Sequence, residues 1–231
     1  MNIYGYQKTT LLDYPGHVAA TIFTGGCNFR CPFCHNSDLI LNPPSSSLIP
    51  EEEIFNFLKK RKNVLSGICI TGGEPTLQPD ISDFIKKVHS LGYKIKLDTN
   101  GYRPDVISGL LSQNLLDYVA MDLKTGLTNY SHVCGISEVN TRQILKSISI
   151  IENSDIEYEF RTTVVKELHT KEDFYEISQM LSPDSSYYLQ SFKDSGNILI
   201  PGFSSCDIET LNEYLSIVKT AIPNSFLRGI D

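Results

Sequence analysis

Three cysteines crowd into one short segment of this 231-residue chain. Cys27, Cys31 and Cys34 have the spacing C-x₃-C-x₂-C, and they follow a run of apolar and β-branched residues. Thiolates are soft ligands that suit zinc and iron–sulfur clusters. Three thiolates in one loop can bind three irons of a cubane [4Fe–4S] cluster and leave the fourth iron open to a substrate or cofactor. We therefore expect a metal centre with one open coordination position here.

Zinc is the alternative metal for these cysteines. A structural zinc site usually has four ligands, which come from two short pairs. His35 or a distant cysteine would have to be the fourth ligand, because the sequence has no second C-x₂₋₄-C pair. The spacing favours an iron–sulfur cluster over zinc, and it favours either metal over unligated cysteines in the core.

Polar motifs follow three other β-rich runs of the sequence. They are Thr71-Gly72-Gly73-Glu74-Pro75, Asp98-Thr99-Asn100-Gly101 and Met121-Asp122-Leu123-Lys124. Paired glycines let a ligand approach the backbone, and Glu74 can bind an ammonium group. Asp98 can bind ribose hydroxyls or a cation, while strand alternation places Asp122 and Lys124 on one face. Taken singly, each motif is also explained by a tight turn or a solvated ion pair.

These motifs must be positioned by the strands that precede them. Short β-rich runs predict six strands, at about 18–23, 67–71, 93–98, 117–123, 156–164 and 187–191. Apolar residues at helical spacing predict six amphipathic helices, at about 51–62, 81–88, 106–111, 144–151, 170–181 and 211–218. The capping pattern from Thr170 to Asp173 marks the start of the fifth helix. Strands and helices alternate, which is typical of right-handed βα units around a parallel sheet.

Six such units predict an α/β fold with an open, partial (β/α)₆ barrel, because a closed barrel of this kind needs eight units. Ligands of such sheets bind at the carboxyl ends of the strands, where all four motifs lie. The Pro/Ser-rich stretch 42–50 is too short for an interdomain linker. We therefore expect one domain over 1–231, with an N-terminal extension at 1–16, the partial barrel at 17–220 and a short C-terminal segment at 221–231.

The composition disfavours several classes of protein. A total of 20 Lys and Arg against 27 Asp and Glu gives a net charge of −7, which argues against nucleic acid and acidic membranes as partners. No apolar run approaches the roughly 18 residues that span a bilayer, and the polar N-terminus lacks a signal sequence. The uneven spacing of the six cysteines is untypical of a secreted disulfide framework. We expect a cytoplasmic protein.

The sequence closely resembles the radical S-adenosylmethionine enzymes. The resemblance rests on the cysteine motif, with Phe33 before its last cysteine, and on the strand that ends in Gly72-Gly73-Glu74-Pro75; it runs from about Thr21 to Lys124. Further motifs resemble those of activating enzymes for glycyl radical proteins, namely Asp13-Tyr14-Pro15-Gly16, Cys34-His35-Asn36, Asp98-Thr99-Asn100-Gly101 and Asp122-Leu123-Lys124. The run 4–16 is similar to the subgroup of anaerobic ribonucleoside-triphosphate reductase activating proteins, although Tyr14 departs from the Asp-Gly-Pro-Gly of formate-lyase activators.

The resemblance implies a cofactor site at the strand ends. Cys27, Cys31 and Cys34 would hold one [4Fe–4S] cluster, whose open iron would be chelated by the amino and carboxylate groups of S-adenosylmethionine. The residues that would bind this cofactor are Phe33 for adenine, Gly72, Gly73 and Glu74 for the methionine ammonium, Asp98 and Lys124 for ribose or carboxylate oxygens, Asn100 and Asp122 beside them, and Arg161 and Gln190 around the chamber. Alternatively, Asp98, Thr99 and Asp122 would organise a monovalent cation beside the carboxylate.

The resemblance also implies a reaction. An electron from reduced flavodoxin or ferredoxin would cleave the cofactor to methionine and a 5′-deoxyadenosyl radical, which abstracts hydrogen. The expected substrate is a glycine of a partner glycyl radical enzyme, the anaerobic class III ribonucleotide reductase. The alternatives are a radical enzyme that acts on a small molecule or another protein, and a zinc-stabilised interaction module. Residues 36–71 add only Cys69, so one cluster is expected, and Cys134 and Cys206 have no predicted role.

Overall fold

The computed structural model describes residues 1–41, 43, 47–194 and 196–230, so the Pro/Ser-rich stretch falls partly outside the described residues. Within them, eight strands form one sheet in the order of the chain. The strands are β1 (Ile3–Thr10), β2 (Ala19–Thr24), β3 (Gly67–Gly72), β4 (Lys94–Thr99), β5 (Tyr118–Asp122), β6 (Glu157–Val164), β7 (Tyr187–Ser191) and β8 (Ser225–Arg228). β1 is antiparallel to β2, and all later neighbours are parallel. Among these described strands, β1 and β8 do not pair with each other, so the sheet is open.

Helices lie between the parallel strands in the chain. They are α1 (Ser37–Ile40), α2 (Glu51–Arg61), α3 (Ile81–Ser90), α4 (Pro104–Ser112), α5 (Tyr130–Cys134), α6 (Thr141–Glu152), α7 (Lys171–Met180) and α8 (Ile208–Lys219). In α3, Ile81, Phe84, Ile85 and Val88 recur at helical spacing, and all four are buried. This stripe joins a large apolar core that helices and strands share, as expected for a parallel sheet covered by helices.

The start of α7 shows how a local signal sets a helix boundary. The Thr170 side chain accepts a hydrogen bond from the backbone of Asp173, and the Asp173 carboxylate accepts one from the Thr170 backbone. Two backbone N–H groups that lack a partner inside the helix are satisfied in this way. The predicted start of the fifth amphipathic helix is therefore confirmed.

The predicted βα units are confirmed, but the sheet is wider than the sequence indicated. All six predicted strands and all six predicted helices are present, in the predicted order. Two strands were not predicted: β1, which lies in the N-terminal extension, and β8, which lies in the C-terminal segment. Most residues of β1 are only partly buried, and β8 has only four residues, so neither has the apolar run of an inner strand. Because both ends of the chain join one sheet, we propose that it forms a single domain.

Tyr14 fills the N-terminal end of the partial barrel. Its side chain is only 2% exposed, and its ring lies 5.9 Å from that of Tyr118 at the start of β5. Gly67 begins β3 beneath it, where a Cβ atom would come within 2.7 Å of the Tyr14 ring. Tyr118 belongs to the same strand face as Asp122, two alternations further along β5. Tyr14 of the Asp-Tyr-Pro-Gly motif thus closes the end of the barrel opposite the polar motifs, and we call it the Tyr14 plug.

Candidate active site

The polar motifs meet around one cavity at the carboxyl ends of the parallel strands. The cavity has a volume of about 210 Å³ and is lined by residues at the ends of β2 to β6. The predicted site residues that line it are Cys27, Cys31, Phe33, Cys34, Gly72, Gly73, Glu74, Asp98, Thr99, Asn100, Asp122, Lys124 and Arg161. The sheet therefore gathers residues from motifs that are up to 134 positions apart in the chain, from Cys27 to Arg161.

Gln190 is the predicted site residue that does not line this cavity. It lies in β7 and pairs in register with Thr163 of β6, which is a lining residue. β7 is one strand further from the cysteines than β6 in the sheet order. The position of Gln190 near a strand end therefore did not bring it to the cavity.

The cysteine loop, residues 25–36, holds its three thiols along one wall of the cavity. The Cys34 N–H donates to the Cys31 carbonyl at 3.0 Å, and the Phe29 N–H donates to Cys27 Sγ at 3.4 Å. Burial raises the pKa of Cys27 to about 12, and burial also raises the pKa of Cys34. The neighbouring Lys124 ammonium acts in the opposite direction on all three thiols. Metal ligation requires the thiolate form, which burial disfavours and the Lys124 ammonium favours.

All three cysteines of the loop line the cavity. Among the described residues, no group of three His, Cys, Asp or Glu side chains is gathered closely enough to hold a single metal ion. A mononuclear zinc site needs its ligands about 2.0–2.3 Å from one ion. A cubane cluster instead takes each thiolate at a different corner. Three thiols that line one cavity fit the predicted cluster, in which each thiolate binds a different corner.

Asn28 provides a second observation that fits a bound group. Its Oδ1 accepts a hydrogen bond of 2.8 Å from Asn100 Nδ2, which also lies 3.8 Å from Cys27 Sγ. Within the described residues, Asn28 Nδ2 is buried and has no hydrogen-bond partner. An unsatisfied buried donor costs about 1–3 kcal/mol. Acceptor atoms beside Cys27, such as cluster sulfides or a carboxylate, would satisfy it, and the sequence alone did not single out Asn28.

The glycine cradle, Gly72 and Gly73, brings two strand-end loops into direct backbone contact. The Gly73 N–H donates to the Thr24 carbonyl at 2.8 Å, and the Glu74 N–H donates to the Gly26 carbonyl at 2.7 Å. Gly72 has a φ of 116°, a conformation that residues with a Cβ atom rarely adopt. A Cβ atom on Gly73 would lie 2.0 Å from the Gly26 carbonyl oxygen. The paired glycines are therefore required for the close approach of the β2 and β3 loops.

Replacing Gly73 by alanine is expected to separate these loops. The added methyl group cannot be accommodated without moving the Gly26 backbone, and overpacking of this kind costs about 1–3 kcal/mol. We expect a lower free energy of unfolding in chemical denaturation and weaker S-adenosylmethionine binding in calorimetry. Gly109→Ala in α4 is the matched control, because no atom lies within 4 Å of the added Cβ. An equal loss in both variants would contradict the steric explanation.

Glu74 ties the β3 loop to the β4 loop. Its carboxylate is 1% exposed and accepts hydrogen bonds from the Thr76 N–H at 3.0 Å, the Thr99 hydroxyl at 2.8 Å and the Asn100 N–H at 2.7 Å. The Thr76 hydroxyl donates to it as well. Burial raises the pKa of Glu74, while these hydrogen bonds act against that rise. The carboxylate is therefore a structural crosslink at the cavity wall, in addition to its predicted role toward an ammonium group.

A row of alternating charges crosses the strands at the cavity wall. This charge ladder consists of Lys96, Asp98, Arg161, Asp122 and Lys124. Asp98 pairs with Lys96 and, at 3.3 Å, with Arg161. Asp122 pairs with Arg161 at 2.8 Å and with Lys124 at 3.1 Å. Burial acts to raise the pKa of Asp122, but the two cations outweigh burial and lower it.

The charge ladder has three cations and two carboxylates, so one positive charge is left over. A surplus cation in a buried site favours an anionic ligand such as a carboxylate. The predicted monovalent-cation alternative would use Asp98, Thr99 and Asp122. In the structure, both carboxylates are paired with cationic side chains, and the Thr99 hydroxyl donates to Glu74. The cation alternative stays a prediction.

Glu159 and Arg228 lie below the ladder, and no sequence motif marks either residue. Glu159 is 2% exposed and accepts two hydrogen bonds from the Arg228 guanidinium, at 3.1 and 3.0 Å. The Tyr118 hydroxyl donates to the same carboxylate at 3.2 Å. Arg161 lies 3.8 Å from Glu159, so this group also faces the ladder. The last strand of the sheet thus contributes an arginine to the floor of the site.

His169 holds the segment that carries Lys124. Its Nε2 lies 2.8 Å from the Lys124 carbonyl, and its Nδ1 lies 3.1 Å from the Val165 N–H. A neutral imidazole with its proton on Nε2 donates to the first group and accepts from the second. Burial lowers the pKa of His169 below its ordinary value of 6.5. The sequence indicated no role for this residue, because its partners come from different loops.

Because His169 is held neutral, the free energy of unfolding is expected to fall as the pH drops below 6.5, the ordinary pKa of a histidine side chain. The unfolded chain then binds a proton at His169 that the folded chain excludes, with a limiting slope of about 1.4 kcal/mol per pH unit. Above that pH the contribution is complete and constant. Denaturation of wild type and His169→Gln from about pH 7.5 to 5 measures it.

The difference in free energy of unfolding between wild type and His169→Gln should shrink as the pH falls. The matched control is His89→Gln on the exposed face of α3. A wild-type advantage that does not change with pH would show that His169 is not held in its neutral form.

The segment after β7 braces the cysteine loop from outside. The Ile200 N–H donates to the Pro32 carbonyl at 2.9 Å, and the Ser37 hydroxyl donates to the Asn197 carbonyl at 3.1 Å. The His35 ring stacks on Phe192, with centroids 5.4 Å apart. Asn36 Nδ2 donates to the Gly72 carbonyl at 2.7 Å, which joins the loop to the glycine cradle. His35 therefore packs in a braced segment of the cysteine loop.

Comparisons with known proteins agree with this arrangement. Residues 21–181 match the radical SAM superfamily. A provisionally named glycyl-radical enzyme activating enzyme of Methanocaldococcus jannaschii is 32% identical, over 99% of this chain and 96% of its own length. The pyruvate formate-lyase-activating enzyme of Clostridium pasteurianum is 26% identical, over 78% of this chain and 75% of its own. Streptococcus suis SuiB, solved with S-adenosylmethionine bound, shares the fold with a TM-score of 0.67 at 17% identity, over 89% of this chain and 49% of SuiB.

The superfamily match includes the cysteine loop, the glycine cradle and the charge ladder. Enzymes of this superfamily use a [4Fe–4S] cluster together with S-adenosylmethionine. Within the part of the chain that the structure describes, no helix is both long enough and apolar enough to cross a membrane. The similarity to the Methanocaldococcus protein extends over nearly the whole length of both chains. This chain belongs to the radical SAM superfamily and, within it, to the glycyl-radical enzyme activating enzymes.

Proposed function

We propose that this chain removes a hydrogen atom from a glycine of a partner enzyme, and that the partner is the anaerobic class III ribonucleotide reductase. The observation that carries the proposal is the convergence of the three thiols, the glycine cradle and the charge ladder on one cavity. When bound, S-adenosylmethionine and a reduced [4Fe–4S] cluster supply the 5′-deoxyadenosyl radical that takes the hydrogen atom. The choice of reductase rests on the resemblance of the run 4–16, which forms β1 and the Tyr14 plug.

The proposed cluster ligands are Cys27, Cys31 and Cys34. Cys31 is 6% exposed, and the other two thiols are half-buried on the same wall. The Lys124 ammonium favours the thiolate form of each, which a ligand must adopt. A reduced flavodoxin or ferredoxin is the proposed electron donor, and the six unpaired cysteines suit the reducing cytoplasm that we propose as the location.

The cavity complements the two charges of the methionine part of the cofactor. The Glu74 carboxylate and the cradle backbone lie on the β3 side and are the proposed partners of the ammonium group. Lys124 and Arg161 lie on the β5 and β6 side and are the proposed partners of the carboxylate. Placing opposite charges on opposite sides fixes the orientation of a bound zwitterion.

The remaining lining residues are assigned to the nucleoside part of the cofactor. Asp98 and Asn100 end β4, between the two charged sides, and are proposed to face the ribose. Asp122 orients Arg161 and Lys124, and the backbone of Phe33 is proposed to position adenine. Because the sheet is open, a loop of a protein substrate has a way to reach this cavity.

Low-temperature EPR on one anaerobic sample tests the proposal. The sample contains the reduced, reconstituted full-length chain, S-adenosylmethionine and the class III reductase of the same genome. We expect a cluster signal that changes when S-adenosylmethionine is added, followed by a glycyl doublet on the reductase. The matched controls are the Cys31→Ala variant of this chain and a reductase whose target glycine is replaced by alanine.

The outcomes separate the chemistry from the partner. A doublet that is lost in both controls supports the whole proposal. A cluster signal that responds to S-adenosylmethionine, without any doublet, keeps the radical chemistry and rejects this reductase as the substrate. Stoichiometric zinc in an iron-free protein would reject the radical mechanism itself.

A further inference from the structure

Glu159 is a third carboxylate within reach of the charge ladder. It precedes Arg161 by two residues in β6, so both side chains lie on the same face of the strand. Glu159 is 2% exposed, and one of its carboxylate oxygens lies 3.8 Å from a guanidinium nitrogen of Arg161. A full ion pair between these two groups would give the ladder three carboxylates for its three cations. The surplus positive charge that favours an anionic ligand would then be lost.

Arg228 occupies this carboxylate instead. Its guanidinium donates to both oxygens of Glu159, at 3.1 and 3.0 Å, which is the two-point geometry of the strongest pairs with carboxylates. The Tyr118 hydroxyl adds a further hydrogen bond to Glu159 at 3.2 Å. Arg161 donates to the ladder carboxylates at 2.8, 3.3 and 3.4 Å, whereas its separation of 3.8 Å from Glu159 is too long for a hydrogen bond.

The position of Arg228 is set by the last strand of the sheet. Arg228 pairs in register with Gln190 of β7, and its guanidinium carbon lies 3.8 Å from the centre of the Tyr188 ring. The planar guanidinium of arginine is suited to stacking on an aromatic ring in this way. The Arg228 side chain therefore reaches across β7 to Glu159 in β6.

We propose that Arg228 is a positioning residue that holds Glu159 away from Arg161 and thereby keeps the surplus positive charge of the ladder for the carboxylate of S-adenosylmethionine. The inference rests on the proposed function, in which Arg161 and Lys124 bind that carboxylate. Arg228 does not line the cavity, so it acts on the cofactor through Glu159 and Arg161. Without Arg228, the ion pair of Glu159 that remains among the described residues is the one with Arg161, and this pair neutralises the ladder.

Calorimetry of the cluster-loaded, full-length chain tests this role. Arg228→Met keeps an apolar stem against Tyr188 but removes the charge, and its effect is measured in the wild-type and Glu159→Gln backgrounds. In the wild-type background we expect S-adenosylmethionine to bind about tenfold more weakly, which equals about 1.4 kcal/mol. In the Glu159→Gln background there is no carboxylate to release, so Arg228→Met should change the affinity by less than about twofold.

Three further measurements separate this role from a general loss of structure. Decarboxylated S-adenosylmethionine is a cation without a carboxylate, so a neutralised ladder repels it less and Arg228→Met should bind it no more weakly than wild type. Arg228→Lys keeps the positive charge and should stay close to wild type. Lys219→Met is the matched control, because Lys219 lies 5.7 Å from the Phe226 ring of the same strand and, among the described residues, forms no ion pair with the ladder.

The contrary outcomes are specific. An unchanged affinity in Arg228→Met, an equal loss in both backgrounds, or an equal loss for the decarboxylated compound would each overturn the proposal. Circular dichroism checks that the variants are folded, and Arg228→Gln replaces Arg228→Met in the same comparison if the methionine variant does not fold. A wild type that holds its cluster but does not bind S-adenosylmethionine would reject the proposed function, whereas normal binding by both wild type and Arg228→Met would reject this inference alone.

Discussion

Cys31→Ala is expected to abolish the cluster and, with it, all radical chemistry. The variant leaves only Cys27 and Cys34, so a second iron loses its protein ligand. We expect activity to fall at least about a hundredfold, the upper end of what the loss of an outer-shell contact costs. Iron and sulfide content per chain, together with the EPR signal of the reduced protein, measure the result.

The control for this change must be equally buried but remote from the cavity. Cys206 is 7% exposed and does not line the cavity, so Cys206→Ala should retain iron and activity. Circular dichroism should show that both variants are folded, since the sheet and the helices do not depend on the cysteine loop alone. A Cys31→Ala protein with a full complement of iron would remove Cys31 from the proposed ligand set.

Glu74→Ala is expected to leave the cluster in place but to weaken S-adenosylmethionine binding and to destabilise the fold. The loss of stability follows from the structure, because the Thr76 and Asn100 N–H groups both donate to this buried carboxylate. Each buried donor left without a partner costs about 1–3 kcal/mol. We therefore expect a loss of about 3 kcal/mol in chemical denaturation and at least about tenfold weaker cofactor binding, which equals about 1.4 kcal/mol.

Glu213→Ala provides the comparison for Glu74→Ala, because Glu213 is exposed in the middle of α8. It should change neither stability nor binding. Normal cofactor affinity in Glu74→Ala would show that the carboxylate only joins the two loops, and the proposed ammonium contact would have to move to the cradle backbone. Loss of iron from Glu74→Ala would contradict the assignment in another way, since it would link this loop to cluster assembly.

The convergence of the site could be predicted from the sequence because the sheet is parallel. Each of the four polar motifs lies at the carboxyl end of a strand or just after it, and parallel strands present their carboxyl ends on one side. For this reason Cys27, Glu74, Asp98 and Lys124 meet at one cavity although they lie far apart in the chain. Such a motif can be placed in the fold as soon as the strand before it has been predicted. The local pattern was therefore sufficient to predict the motifs at the carboxyl ends of β2 to β5.

The parts that the sequence did not predict depend on pairs of residues from distant elements. Glu159 and Arg228 are 69 positions apart and meet only because β8 adds to the edge of the sheet. The Cys134 carbonyl accepts a hydrogen bond from the Arg30 N–H because the end of α5 folds back onto the cysteine loop. Glu159, Arg228 and Cys134 stand in no recognisable motif, so no local signal marks them. Gln190 is a different case, because its position near a strand end was recognised but did not bring it to the cavity.

The Tyr14 plug has a consequence for the order in which S-adenosylmethionine, its products and the partner protein enter and leave the cavity. With the ring of Tyr14 seated at the N-terminal end of the barrel, we expect both the small cofactor and the protein substrate to approach from the side of the carboxyl ends of the strands. A docked protein would then cover the exit used by methionine and 5′-deoxyadenosine. Turnover is therefore expected to be ordered, with S-adenosylmethionine binding first and the spent nucleoside leaving only after the partner has departed. Partner release, rather than hydrogen transfer, would then limit the rate at which one activator serves many partner molecules.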